Sequence, residues 1–374
     1  MPDSQLKDFG RLVIKVGSSL LIDERGELNS TWLATLADDI ATLHGDGCDV
    51  LVVSSGSIAL GAATLGVSRR RARLVELQAA AAAGQVKLVN AYERALGRHS
   101  LSTAQVLLTL GDTEDRHRFL NARGTLAALL KHRIVPVINE NDTVSTEEIR
   151  YGDNDRLAAR VAQLVMADVL VLLSDVDGLY DADPRQVPSA RHIAEVNAID
   201  ARVMAIAGDS PTETGSGGMA TKVQAARIAT HAGCSTIVAL GNSTHPLTAL
   251  ADDARCTRFH AQGTPAAQRK QWLAGSLKLA GSLTIDDGAA AALRRGGSLL
   301  PVGVVAADGD FRRGDIVRIV LAGGGEIGRG LAEYSFADAR KLLGVRSEEI
   351  ENRLGYRGRP VLVHRDELVV FEHD

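Results

Sequence analysis

Residues Ile134–Leu157 read IVPVINENDTVSTEEIRYGDNDRL, an apolar run that ends abruptly in carboxylates and amides. Ile134 to Ile138 has the β-branched composition and the length of a buried strand, with Pro136 suited to an irregular or edge position. Glu140, Asp142, Glu147, Glu148, Asp153 and Asp155 then fall within sixteen residues, interleaved with Asn139, Asn141 and Asn154. A solvated acidic loop is the plain reading of such a charge run. Neutral amides set beside the acids, and an apolar helix pattern that resumes at Leu157, favour a site instead. Polar residues just past the carboxyl end of a buried strand lie where open α/β sheets bind ligands.

Other apolar runs end in the same way. Arg11 to Val16 reads as a first strand running into Gly17, Ser18 and Ser19, whose N–H groups suit phosphate oxygens, with Lys15 in reach of the same phosphates. Ser30 or Thr31 is placed to cap a helix carrying Leu33, Leu36, Ile40 and Leu43 on one face. A second strand, Val50 to Ser54, ends in the small-residue turn SSGSIALG, Ser54 to Gly61. No G-x-S-x-G elbow frames Ser55 or Ser57, so a ligand-binding turn is favoured over a serine nucleophile. Arg73 to Leu96 is alanine-rich and helical, with Gly84 a local weakness. Ser102 to Leu108 reads as a strand and Asp115 to Leu130 as a helix; Asn154 to Met166 is helical, with Asp153 placed to cap it. Val169 to Leu173 is a fully apolar strand that ends in Ser174 and Asp175, and Thr236 to Leu240 is another strand. Strands alternating with helices imply an α/β fold, a doubly wound and largely parallel sheet.

Composition bounds the class. The chain has 374 residues, 45% of them apolar, and a formal net charge of −4. That length suggests about two domains. No apolar run reaches the ~18 residues that span a bilayer, and residues 1–10 lack a signal peptide's apolar segment, so a cytoplasmic protein with no membrane partner is expected. Cys48, Cys234 and Cys256 are odd in number and widely spaced, forming neither a disulfide framework nor a zinc motif. The ten histidines show no metal-ligand spacing, and no protein-held metal is assigned.

Glu213 to Ala229, ETGSGGMATKVQAARIA, matches G-x-G-x-x-A by letter at Gly215, Gly217 and Ala220. No strand leads directly into it, and Thr221 stands where a Walker A loop needs glycine before Lys222, so both readings fail. What survives is a glycine-rich loop entering a helix, whose free N–H groups and dipole favour an anion. Lys222 in the first turn is locally unfavourable, which suggests that a negative ligand compensates it. Two lysines near glycine-rich turns, and carboxylates and amides at strand ends, together point to phosphoryl transfer onto a small acceptor.

The motif order IKVGSS, VSSGSIA, VPVINENDTV, YGDNDRLAA, LLSDVDGLY, ADPR and SGGMATK resembles the glutamate 5-kinase family of the amino-acid kinase superfamily, over essentially the whole chain. The NEND and GDND pair is the specific part of that resemblance. It implies that Lys15 and Lys222 neutralise the transferring phosphoryl group, with Asp155 as a third catalytic residue. It places Gly17, Ser174, Asp175, Ser216, Gly217, Gly218, Met219, Ala220 and Thr221 around ATP. Ser55, Asp142 and Asn154 match the family's glutamate-binding positions, and Gly56, Asn139, Asp153 and Asp155 shape the same site. The implied reaction converts ATP and L-glutamate to L-glutamyl 5-phosphate and ADP, with Mg²⁺ carried on the nucleotide, as the first step towards proline. Feedback by L-proline, hand-off to glutamyl phosphate reductase and a homo-oligomer are implied with it. Ser216 stands where the family often has threonine and Arg150 where it often has lysine; the second change keeps charge but alters geometry.

Past Leu250 the pattern becomes short strands between glycine-rich turns: Ser282 to Ile285, Val302 to Ala306 and Ile316 to Val320. This stretch resembles the PUA domain appended to many glutamate 5-kinases. The expected layout is a catalytic domain over 1–260, a linker over 261–275 and a small β-rich PUA domain over 276–374. That last segment carries 14 Lys plus Arg against 15 Asp plus Glu, which gives no basic footprint for nucleic acid. The alternatives are a sibling kinase acting on acetylglutamate, aspartate or carbamate, and an RNA-binding protein led by the PUA segment. NEND with GDND disfavours the first, and the complete kinase motif set disfavours the second.

Overall fold

The computed structural model describes residues 6–23, 26–69, 71–144, 153–208, 218–275 and 279–371. Two compact units divide the chain, Met1–Pro265 and Ala266–Asp374.

In the first unit β1 (Arg11–Val16) leads through α1 (Ser18–Leu21) and α2 (Ser30–Gly45) to β2 (Asp49–Ser54). Next, α3 (Ser57–Leu65) and α4 (Leu74–Gly97) lead to β3 (Thr103–Leu108), and α5 (Leu110–Glu114) and α6 (Arg116–Lys131) to β4 (Val135–Glu140). The next helix, α7 (Asp153–Val165), precedes β5 (Val169–Ser174). A short ribbon of β6 (Leu179–Tyr180) and β7 (His192–Ile193) follows, then β8 (Glu195–Val196) and α8 (Ala201–Ala207). The unit closes with α9 (Met219–His231), β9 (Ser235–Leu240), α10 (Pro246–Ala251) and β10 (Cys256–Phe259).

The main sheet runs β3-β4-β2-β1-β5-β9-β10-β8. Its first six strands are parallel, and β10 turns antiparallel against β9. The central strands are buried on both faces, which is why they read as unbroken apolar runs. Leu12, Ile14 and Val16 of β1 point into the layer with α2 and α4; Val13 points into the layer with α7 and α9. Helices on both faces make the expected doubly wound architecture.

Three local readings change. Pro136 lies on an interior strand, between β3 and β2, and is tolerated there because the ladder to β2 covers only Val137 and Ile138. The cap of α2 is Asn29, whose side chain accepts from the Trp32 N–H at 3.2 Å, so Ser30 is already helical. Gly84 is no weakness. A Cβ there would stand 1.8 Å from the Ser57 carbonyl oxygen, and one on Gly61 would stand 1.7 Å from that of Ala80. These two glycines let α3 and α4 cross with their backbones in contact. Gly84→Ala should therefore destabilise by on the order of 2–3 kcal/mol, since overpacking against backbone outweighs the ~1 kcal/mol gained in helix propensity. Urea unfolding checks this; a neutral or stabilised variant would contradict the close crossing.

The second unit is a five-stranded sheet of β11 (Gly281–Ile285), β12 (Val304–Gly309), β13 (Ile316–Leu321), β14 (Glu326–Leu331) and β15 (Leu368–Val370), ordered β12-β11-β13-β14-β15. Leu283, Ile285, Val304, Phe311, Val317, Ile319 and Ile327 form its core. Residues 265–275, read from the sequence as part of a linker, form a helix (Pro265–Gly275). It is held within this unit by Arg269 on Glu367, with Nε at 2.8 Å, and by Arg329 Nη1 on the Ala274 carbonyl at 2.8 Å.

Candidate active site

The polar residues singled out in the sequence gather at the carboxyl ends of β1, β2, β4 and β5. Strand order reverses about β1, which pairs with β2 on one side and β5 on the other, and a crevice opens at such a reversal.

Its centre is a trio. Lys15, on β1, places Nζ 2.6 Å from Asp155 Oδ1; Lys222, in the first turns of α9, places Nζ 3.5 Å from Asp155 Oδ2. Thr221 Oγ1 lies 2.8 Å from the same Oδ2 and 2.8 Å from the Gly218 carbonyl oxygen. All three charged groups are nearly sealed from solvent, at 7%, 4% and 0% exposure for Lys15, Lys222 and Asp155. Burial works against the Asp155 carboxylate, but the Lys15 and Lys222 ammoniums and their hydrogen bonds outweigh it and hold its pKa below the ordinary value. Burial lowers the Lys222 pKa, and the Lys15 ammonium adds to that, while Asp155 opposes it. The negative group that compensates Lys222 at its helix end is thus Asp155. Two ammoniums on one carboxylate still leave a net positive charge of one, suited to an anion.

On one flank is the turn after β2. The Ser55 N–H donates to the Val16 carbonyl at 3.0 Å, tying this turn to β1, and Asn154 Nδ2 donates to Ser55 Oγ at 2.8 Å. Among the described residues Asn154 Oδ1 is buried with no partner, an acceptor left for something else. Gly56 has φ of 114°, a conformation that requires glycine there. Asp142, 8% exposed, lies two residues beyond β4. Asn139, at 1% exposure, is wholly engaged by protein groups: Oδ1 accepts from the Glu140 N–H, and Nδ2 donates to Gln85 Oε1 and Ser57 Oγ.

On the other flank, Gly17 precedes α1; a Cβ added to it would lie 3.8 Å from Lys15 Nζ, so this backbone runs beside the lysine head. Ser174, at the end of β5, donates to Asp175 Oδ1 at 3.0 Å. Gly218 precedes α9 with no side-chain cap, and Met219 and Ala220 open the helix, whose first N–H groups meet no acceptor among the described residues. Asp153 opens α7. Ser216, Gly217, Glu147, Glu148 and Arg150 lie outside the described residues.

The sequence gives no site role to Gln85 or Tyr92, and reaches Ser57 only as part of the ligand-binding turn Ser54 to Gly61. Tyr92 donates to Ser54 Oγ at 3.0 Å beneath the turn after β2. Gln85 falls on the face of α4 that also buries Ala81, Leu88 and Tyr92. A polar residue on an apolar helix face was the signal available.

Residues 10–239 match the amino acid kinase family, and residues 281–354 match the PUA domain. The chain is 54% identical to a glutamate 5-kinase of Nitrobacter hamburgensis, across 99% of this chain and 98% of that one. It is 52% identical to a glutamate 5-kinase of Bradyrhizobium diazoefficiens, across 99% and 100%. The chain belongs to the glutamate 5-kinase family. The amino acid kinase fold itself is shown again by carbamate kinase from Giardia lamblia bound to AMP-PNP, with a TM-score of 0.50 at 19% identity, covering 69% of this chain and 100% of that one. The amino acid kinase domain therefore carries the whole trio and both flanks, and the PUA domain begins after them.

Proposed function

We propose that this chain transfers the γ-phosphoryl group of ATP to the side-chain carboxylate of L-glutamate, giving L-glutamyl 5-phosphate and ADP. The observation that carries the reading is the Lys15–Asp155–Lys222 trio set between a glycine-rich helix start and the Ser55–Asn154 turn, in a chain whose full-length relatives are glutamate 5-kinases. A carboxylate oxygen forms the new bond to the γ-phosphorus. The bond from that phosphorus to the β–γ bridging oxygen breaks, and ADP leaves with the electron pair. A carboxylate is already nucleophilic, so no general base is required. The obstacle is bringing one anion against another, and the two ammoniums and the α9 terminus relieve it.

Mg²⁺ would be carried with the nucleotide, supplying further charge neutralisation to the transferring group. Among the described residues no three His, Cys, Asp or Glu side chains converge to hold an ion, and both Asp155 oxygens are engaged by lysine and threonine. Product hand-off to a reductase, feedback by L-proline, a homo-oligomer and a cytoplasmic place at the head of proline synthesis belong to the same proposal. No described helix is long and apolar enough to cross a membrane.

Hydroxylamine trapping of the acyl phosphate, with ATP and glutamate, acetylglutamate, aspartate or carbamate in parallel, tests the reading. Hydroxamate from glutamate alone is expected; a stronger signal from another acceptor overturns it. Glutamate differs from acetylglutamate by its α-ammonium, which needs an anion, and Asp142 is assigned that role. Asp142→Asn should raise the glutamate KM by the equivalent of ~2 to 5 kcal/mol, the usual cost of truncating one partner of a buried charge pair. ATP KM should hold, and the preference over acetylglutamate should narrow. A fall in ATP affinity at constant glutamate KM would put Asp142 on the nucleotide side.

A further inference from the structure

The polarity of the Asn139 contacts is fixed by one backbone group. The Glu140 N–H can only donate, and it lies 2.8 Å from one terminal atom of the Asn139 amide, so that atom is the oxygen. The amide nitrogen must then face Gln85, at 2.8 Å, and Ser57, at 3.1 Å. Both of its protons are consumed, so the facing atoms of Gln85 and Ser57 must both accept. The Ser57 hydroxyl proton is thereby turned away from Asn139. Among the described residues it meets no protein acceptor, on a residue only 3% exposed. Gln85, 7% exposed, likewise keeps a buried Nε2 with no partner. Buried donors without acceptors are costly and uncommon in a finished core.

Ser57 is the first residue of α3, directly after Ser55 and Gly56, and this helix start has no side-chain cap. Side chains on a helix lean towards its N-terminus, which aims Ser57 at the turn on the carboxyl end of β2. We propose that the Ser57 hydroxyl donates to the non-reacting carboxylate of the amino-acid acceptor, and that Gln85, by accepting the other Asn139 amide proton at 2.8 Å, is the positioning residue that holds this amide, oriented by the Glu140 N–H, against Ser57 Oγ. The reacting carboxylate belongs with Lys15 on β1. Asn139 lies on β4, two strands away and so about 10 Å across the sheet, which leaves the far end of a dicarboxylic amino acid for Ser57. The inference rests on the proposed phosphorylation of an amino-acid carboxylate and adds a specificity contact to it. The close α3–α4 crossing at Gly61 and Gly84 is what delivers Gln85 beneath Ser57.

Ser57→Ala, Gln85→Met and the double variant separate the roles. Ser57→Ala should raise the glutamate KM by on the order of 10-fold, the loss of a hydrogen bond to a charged group, with ATP KM unchanged and Tm somewhat lowered, because one buried Asn139 amide proton loses its acceptor. Gln85→Met should move the glutamate KM the same way, and in the Ser57→Ala background it should add less than about twofold, because its effect runs through that hydroxyl. A glutamate KM within about twofold of wild type for Ser57→Ala overturns the contact. Effects that multiply in the double variant overturn the relay. Should wild type phosphorylate a different acceptor, the functional reading fails separately, and the same comparison is read on the acceptor it does use.

Discussion

Lys222→Ala, and separately Lys15→Ala, should lower turnover by on the order of 10²-fold or more at saturating ATP and glutamate, the usual cost of removing one preorganised charge from a developing transition state. The trio explains why the loss falls on chemistry. With both lysines present its net charge is positive by one, available to the phosphoryl oxygens as they pass between donor and acceptor. With either removed, Asp155 neutralises the remaining ammonium and nothing is left over. Folding should suffer far less for Lys222→Ala, because Asp155 keeps Lys15 at 2.6 Å and an ammonium already disfavoured by burial is gone. Turnover from the acyl-phosphate assay, set beside urea unfolding, checks both halves. Near wild-type turnover in both variants refutes the assignment.

Strands that are buried on both faces announce themselves, and β1 was read with the bounds it has, Arg11–Val16. So were the polar clusters that close β1, β2, β4 and β5, because a sheet that buries apolar runs must change composition where it meets solvent or ligand. Short edge elements were harder. Cys256–Phe259 alternates half-buried and buried residues over four positions, too few to stand out as a strand in the sequence. The helix at 265–275 has a single buried apolar residue, Leu273, and is held by ion pairs and backbone contacts that no periodicity encodes. Gly84 shows a different limit. One letter stands for a helix weakness or a backbone crossing, and only the partner, Ser57, decides between them. Lys222 is similar: the need for a compensating anion followed from its place on a helix, but Asp155, sixty-seven residues earlier in the chain, is supplied by tertiary structure.

Asp155→Asn should be the most damaging single change to stability, by ~3 to 5 kcal/mol near neutral pH, because it leaves two buried ammoniums without their shared counter-charge. The pH dependence identifies the cause. The Asp155 pKa is lowered by folding, so its contribution is fully present above the ordinary carboxylate value near 4 and is lost as pH falls through the lower folded value. The gap between wild type and variant should therefore shrink in acid. It should also shrink in strong base. Folding lowers the Lys222 pKa, and without Asp155 it should fall further, so the unfolded variant binds the extra proton below the ordinary lysine value and stability recovers as pH rises towards it. Urea midpoints for both proteins at several pH values from acid to about pH 10 provide the check. A gap that stays constant across that range would mean that shape and hydrogen bonding, rather than charge, are what Asp155 contributes. The lysines would then owe their positions to packing, and the site would hold its positive charge without a buried anion to gather it.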